Sequence, residues 1–142
     1  MLAREINNFK DYTVMIIDDD DYYRRLLKII VEKTFECKVL EAEDPKRGFE
    51  MFTNYIPDVI ILDMKMPKMD GQTALSYLRA HNKTEQIPVV VCSAMSAREA
   101  VENLVKLNIS AYIVKPSETD IIKEKIAKGL KDSPKYKARL DS

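Results

Sequence analysis

The sequence predicts an α/β fold: an open, doubly wound five-stranded parallel sheet with five helices. Two observations carry this expectation. Three of the short apolar runs, V-M-I-I, V-I-I-L and V-V-V-C, are continuous rather than alternating, as befits strands covered on both faces. Between the runs, apolar residues recur at spacings of three and four, the mark of helices with one buried stripe.

Each element has its own justification. The first strand is Thr13–Ile17, and the helix after it shows the stripe Tyr23, Leu26, Leu27, Ile30 and Val31. The second strand is Lys38–Ala42, after which Asp44-Pro45 reads as a cap followed by proline at the first helical position. The third is Val59–Leu62, and Asp70-Gly71 reads as a turn and helix start. The fourth covers residues 89–92 and leads into Ser96-Ala-Arg-Glu99, which has the form of a capping box. Its helix carries Ala97, Ala100, Val101, Leu104 and Val105. The fifth strand is Ala111–Val114, followed by Ser117-Glu-Thr-Asp120, a second capping-box pattern, and the stripe Ile121, Ile122, Ile126 and Leu130. Residues 1–11 read as an N-terminal extension, 12–131 as the domain, and 132–142 as a polar, frayed tail.

Composition narrows the function. The 142 residues make one ordinary domain, 46% hydrophobic and 32% charged. The 23 basic and 23 acidic residues cancel, so no whole-chain field draws nucleic acid or anionic lipid. No apolar run approaches the roughly 20 residues of a membrane span, and the opening M-L-A-R-E-I-N-N-F-K lacks a signal peptide's apolar core. A cytoplasmic protein is expected. Cys37 and Cys92 are too few and too isolated for a disulfide framework or zinc site, and are expected reduced and buried. His81, near a helix end, reads as a surface or capping residue.

In open α/β sheets ligands bind beyond the carboxyl ends of the strands, near the switch point. The first strand ends in four aspartates, Asp18 to Asp21, a self-repelling block that demands a proton, a cation or an opposing side chain. Asp63 follows the third strand, Ser93 the fourth and Lys115 the fifth. Three carboxylates, a hydroxyl and an ammonium on one edge suit phosphoryl chemistry, with hard oxygens for Mg²⁺ and donors for phosphate oxygens. Asp20 and Asp21 are better read as starting the helix and complementing its dipole.

These five strand-end motifs, in this order, resemble those of CheY-like response-regulator receiver domains of two-component signalling. The resemblance runs from about Tyr12 to Leu130 and implies a flavodoxin-like, CheY-like fold. It implies that Asp63 is the phosphoryl acceptor and that Mg²⁺ (or Mn²⁺) is held by Asp18, Asp19, Asp63 and the backbone carbonyl of Lys65, Asp18 acting through water. It implies that Ser93 and Lys115 bind the phosphoryl group, that Ser93 and Tyr112 form the switch, and that Pro116 follows Lys115 through a cis bond. Departures are Asn108 for the glycine often found before the fifth strand, and Ser117 for the frequent aromatic after Lys-Pro. Lys65 and Met95, each two residues beyond a site residue, occupy positions that tune phosphate lifetime in this family. Their bulk predicts slow self-dephosphorylation.

The resemblance further implies a signalling receiver rather than an enzyme, its only intrinsic chemistry being self-phosphorylation from phosphodonors and slow self-dephosphorylation. The donor would be a histidine kinase or phosphotransfer protein. Output would pass to a protein effector at the face formed by residues 97–107, 111–114 and 118–130, with no direct nucleic-acid or membrane contact. Lys123, Lys125, Lys128, Lys131, Lys135 and Lys137 make the end of that face basic, either a solvated surface or a site for an acidic protein. Only a short segment follows Leu130, which leaves no DNA-binding domain in this sequence. Two other readings stand beside this one. A receiver fold can serve as a docking module that is never phosphorylated. Asp18-Asp-Asp20 also imitates the D-x-D of haloacid-dehalogenase-type phosphohydrolases, although Tyr22 replaces the usual Thr or Val, no acidic pair follows the later strands, and a cap domain finds no room.

Overall fold

A computed structural model describes residues 3–65 and 69–142. The five apolar runs form one all-parallel sheet: β1 (Thr13–Ile17), β2 (Lys38–Ala42), β3 (Val59–Leu62), β4 (Val89–Ser93) and β5 (Ala111–Val114), in the order β2-β1-β3-β4-β5. The switch point lies at β1, which pairs with both β2 and β3.

The helices are α1 (Ala3–Ile6), α2 (Asp21–Ile30), α3 (Pro45–Met51), α4 (Gly71–Ala80), α5 (Ala97–Leu104), α6 (Thr119–Asp132) and α7 (Pro134–Leu140). The five expected helices are α2 to α6; α1 and α7 are additional. A π turn at Val31–Phe35 extends α2 and ends at Glu36, which is left-handed at φ 58. Asn108 is left-handed as well, at φ 53, and takes the role glycine would have before β5.

Successive strand residues point to opposite faces, which divides the core in two. Val14, Ile16, Val59, Ile61, Val90 and Cys92 pack against Leu27, Ile30, Ile122, Ile126 and Leu130 of α2 and α6. Met15, Ile17, Ile60, Leu62, Val89 and Val91 face Leu75, Leu78 and Leu104 of α4 and α5. Both faces of the central strands are dry, so their sequences do not alternate. In the expected α5 stripe Leu104 is buried; the side chains of Ala97, Ala100, Val101 and Val105 lie outside the described residues. Cys37 and Cys92 are both buried, and burial pushes each thiol up to about 12, so neither supplies a thiolate.

Most start signals operate as read. Asp20 accepts the N–H groups of Tyr22 (3.0 Å) and Tyr23 (3.3 Å), and Asp44 that of Arg47 (2.8 Å). Ser96 and Glu99 exchange the two bonds of a capping box, at 3.2 and 3.3 Å. Exposed His81 caps α4, its Nδ1 2.8 Å from the Tyr77 carbonyl. The second box does not form. The cap of α6 is Glu118, one residue later than the pattern placed it, and the Ser117 hydroxyl donates to the Val114 carbonyl instead.

The segment expected to fray is largely α7, capped by Ser133, which accepts the Tyr136 N–H at 3.2 Å. Its polar residues bind distant parts of the chain. Lys135 reaches Asp58 (3.2 Å) and the Asp11 carbonyl (2.9 Å); Arg139 reaches both Asp11 carboxylate oxygens and the Asn8 carbonyl, each at 2.7 Å. Tyr136 stacks on Phe9. A local polarity pattern cannot reveal partners 77 to 131 residues away. Among the described residues, no helix is long and apolar enough to cross a membrane.

Candidate functional site: an acidic pocket at the carboxyl edge of the sheet

Strand register builds the site. Ile17 lies opposite Leu62, so the next residues, Asp18 and Asp63, emerge side by side. Sheet-like bonds run one residue past the strands: Asp18 N–H to the Ala42 carbonyl (3.1 Å), Asp63 N–H to Ile17 (3.0 Å) and Lys115 N–H to Ser93 (2.8 Å). These bonds fix the backbone of three of the predicted residues. Asp18, Asp19 and Asp63 each present a carboxylate oxygen within 4.8 Å of the others. Asp18 and Asp63 are buried and Asp19 is exposed, leaving the trio open to solvent on one side.

Lys115 reaches in from the end of β5. Its Nζ lies 2.8 Å from Asp18 Oδ2 and 3.5 Å from Asp63 Oδ2. The Lys115–Pro116 peptide bond is cis, as the resemblance implied. Lys65 donates its N–H to Asp63 Oδ1 at 3.2 Å, while its side chain is exposed. Ser93 is buried, its Oγ accepting the Met95 N–H at 3.3 Å. Half-buried Tyr112 donates its hydroxyl to the Met95 carbonyl at 2.6 Å. Asp18, Asp19, Asp63 and Lys115 thus gather at one edge, and Ser93 and Tyr112 meet at Met95 beyond β4. The Asp20 and Asp21 side chains serve the start of α2, the Asp20 N–H donating to Asp18 Oδ1 at 2.9 Å.

Among the described residues the electrostatics are unbalanced: Asp18 and Asp63 share the Lys115 ammonium, and the Asp19 carboxylate lies beside them. Burial and then the neighbouring Asp18 charge push the Asp63 carboxyl up to about 6, against the opposing pull of Lys115. Burial alone would depress the Lys115 ammonium, but its bond to Asp18 and the two carboxylate charges outweigh that and hold its pKa above the ordinary value. Burial raises the Tyr112 hydroxyl, which stays a protonated donor. An excess of hard, negative oxygens around a partly open pocket fits a divalent cation.

Three contributors were not legible in the sequence. Arg24 donates to the Asp18 carbonyl at 2.6 Å and pairs with Asp21 (2.5 Å) and Glu41 (3.5 Å), tying the acidic turn to α2 and β2. Gly71 runs against the backbone after β3: a Cβ there would lie 2.5 Å from the Asp63 carbonyl oxygen and 2.6 Å from Met64 Cα. Tyr23, read only as part of a core stripe, also lies under Lys115, whose Nζ is 4.7 Å from the ring centroid.

The sequence matches the family model described as the response regulator receiver domain over residues 14–127. The chain belongs to this receiver family. The receiver is 33% identical over 120 residues to the chemotaxis protein CheY of Bacillus subtilis, covering 84% of this chain and 98% of that one. Its fold is similar to the chemotaxis response regulator CheY4 of Vibrio cholerae, with TM-score 0.77 and 19% identity over 84% of this chain and 99% of the other. It is also similar to the Mn²⁺-bound form of the response regulator Rcp1, with TM-score 0.71 and 19% identity over 80% and 90% of the two chains. Receivers of this kind are signalling proteins of two-component systems rather than classical enzymes.

Proposed function

We propose that this receiver accepts a phosphoryl group on Asp63 from the phosphohistidine of a histidine kinase or phosphotransfer protein, and signals in the cytoplasm by a surface change that a protein effector reads. One observation carries the reading. Asp63 lies in reach of a lysine ammonium at 3.5 Å and within an acidic trio whose carboxylates, among the described residues, pair with no cation besides that lysine.

Asp18, Asp19, Asp63 and the Lys65 carbonyl would hold Mg²⁺ or Mn²⁺, which when bound supplies charge neutralisation for the acidic trio and the transferred oxygens. The chain's own groups do the rest. A carboxyl with pKa about 6 is mainly ionised at pH 7, so an Asp63 oxygen can attack phosphorus. The new P–O bond forms as the P–N bond to the donor imidazole breaks, and the imidazole takes a proton from solvent. Lys115 is close enough to follow the charge from the Asp63 carboxylate to the phosphoryl oxygens, and Ser93 offers a hydroxyl to another. Positioning and charge dominate such transfers.

Output follows from the loop after β4. Tyr112 is already bonded to the Met95 carbonyl, two residues beyond Ser93. Movement of Ser93 toward a phosphoryl group would therefore act on an existing tether, altering the 97–107, 111–114 and 118–130 face. Met95 and Lys65 at the rim would slow the attacking water, and Met95→Glu is expected to change the acyl-phosphate lifetime measured after removal of donor; unchanged decay would sink that detail.

The deciding experiment is intact-mass measurement after incubation with Mg²⁺ and acetyl phosphate or phosphoramidate. The wild type is expected to gain one phosphoryl group and Asp63→Asn none. Label on Asp18 with turnover of a phosphomonoester would instead identify a haloacid-dehalogenase-type hydrolase. No adduct in either protein, with Mg²⁺ and beryllofluoride binding also absent, would leave a docking module.

A further inference from the structure

Among the described residues Lys115 is the cation that pairs with the Asp18 and Asp63 carboxylates, and its placement has a third determinant besides those two. Tyr23, on the first turn of α2, is 8% exposed, and its ring centroid lies 4.7 Å from Lys115 Nζ. The Tyr23 hydroxyl also accepts the Ser117 N–H at 3.4 Å, beyond the cis Lys115–Pro116 bond. One side chain thus touches both Lys115 and the turn that follows it. Ser117 itself cannot supply an aromatic ring here, whereas Tyr23 brings one from another element.

We propose that Tyr23 is a positioning residue for Lys115, holding the ammonium over the acceptor through its ring face. This rests on the reading of Asp63 as phosphoryl acceptor. An ammonium has three N–H bonds and a long, flexible stem. Asp18, at 2.8 Å, draws Lys115 toward a proposed metal ligand and away from the more distant Asp63. A ring within about 6 Å attracts a cation by its quadrupole, most strongly where water is excluded, and it competes with neither carboxylate for metal. Lys115 is mostly shielded, with its side chain 12% exposed, so this attraction is little screened. The ring also limits the lysine's freedom before a phosphoryl group arrives, which lowers the ordering cost of gripping it. The hydroxyl bond is long and adds mainly to the fit of the turn.

The test is Mg²⁺-dependent beryllofluoride affinity in the full chain, with Mg²⁺ affinity and melting temperature measured in parallel. Beryllofluoride stands in for the phosphoryl group that Lys115 would grip. Tyr23→Phe is expected to stay within about 2-fold of wild type, because the ring remains. Tyr23→Leu is expected to weaken beryllofluoride binding by about 5- to 10-fold with Mg²⁺ affinity unchanged. Trifluorophenylalanine at the same position keeps the shape but removes the negative ring face, and is expected to behave like the leucine variant even if that variant folds poorly. Equal affinity for the trifluoro and Phe proteins would overturn the proposal, as would Mg²⁺ and beryllofluoride affinities falling together. If wild type itself binds no beryllofluoride, the reading of Asp63 fails instead.

Discussion

The two ends of the sheet solve the same electrostatic problem in opposite ways. At the amino end, Asp58 accepts the Thr13 N–H (2.8 Å) and pairs with Lys135, and Asp11 pairs with Arg139. Both cations also lie 4.9 Å from the Tyr12 ring. Arg79 spends its guanidinium on backbone carbonyls, including Leu107 at 3.0 Å and Ile87 at 2.8 Å. Each carboxylate in this pair has its own cation. At the carboxyl end Asp18 and Asp63 share one lysine, with the Asp19 carboxylate close by, and burial raises the Asp63 pKa to about 6. One end is closed by ion pairs between its own side chains; the other, among the described residues, leaves Asp18 and Asp63 sharing one ammonium beside a third carboxylate.

That contrast can be broken at several points. The largest effect is expected from Gly71→Ala, whose Cβ would collide with backbone rather than with a movable side chain. A destabilisation of about 3 kcal/mol is expected in urea titration. A neutral substitution would mean that the helix start and the acidic edge are less tightly joined than the geometry implies.

Mg²⁺ should act at one end only. At a concentration one hundred times its dissociation constant it is expected to stabilise the wild type by about 2.7 kcal/mol. Most of that is expected to vanish in Asp19→Asn, which removes an exposed carboxylate from the trio. Retained stabilisation in the variant would move the cation site elsewhere.

In metal-free protein the Asp63 carboxyl supplies a pH signature. Its pKa is raised from 3.8 to about 6, so between those values the native state holds a proton the unfolded chain has released. That contribution to stability is full below about pH 4 and is lost as pH rises through 6. Asp63→Asn is therefore expected to gain about 1–3 kcal/mol over wild type at pH 7.5 in chelator, and less at pH 4.5. A gain independent of pH would show that ionisation of Asp63 is not the source of the strain.

The smallest effect belongs to the amino end. Arg139→Ala loses a largely exposed partner, Asp11, and is expected to cost about 1 kcal/mol or less, diminishing in salt. Phosphoryl transfer and beryllofluoride binding are expected to be unchanged. A change in either would mean that the two ends communicate.

The strands were legible because burial on both faces writes itself into a continuous apolar run, as V-M-I-I and V-I-I-L show. The strand-end residues were legible because parallel pairing puts every carboxyl end on one edge, so Asp18, Asp63, Ser93 and Lys115 meet whatever the loops do. Other features had no local signature. The roles of Arg24 and Tyr23 depend on which side chains α2 meets at β2 and β5, and a helical stripe reports burial without naming the partner. Helix α7 looked like a tail because its lysines and arginine read as solvated, and their partners lie at the other end of the chain. The sequence by itself determined the strands, the sheet's chemical edge and the acceptor candidate, since these follow from periodicity and backbone pairing. Only the tertiary structure decided which cations are spent on closing the amino end and that a tyrosine ring stands beside Lys115, because long-range side-chain contacts depend on the packing of elements far apart in the chain.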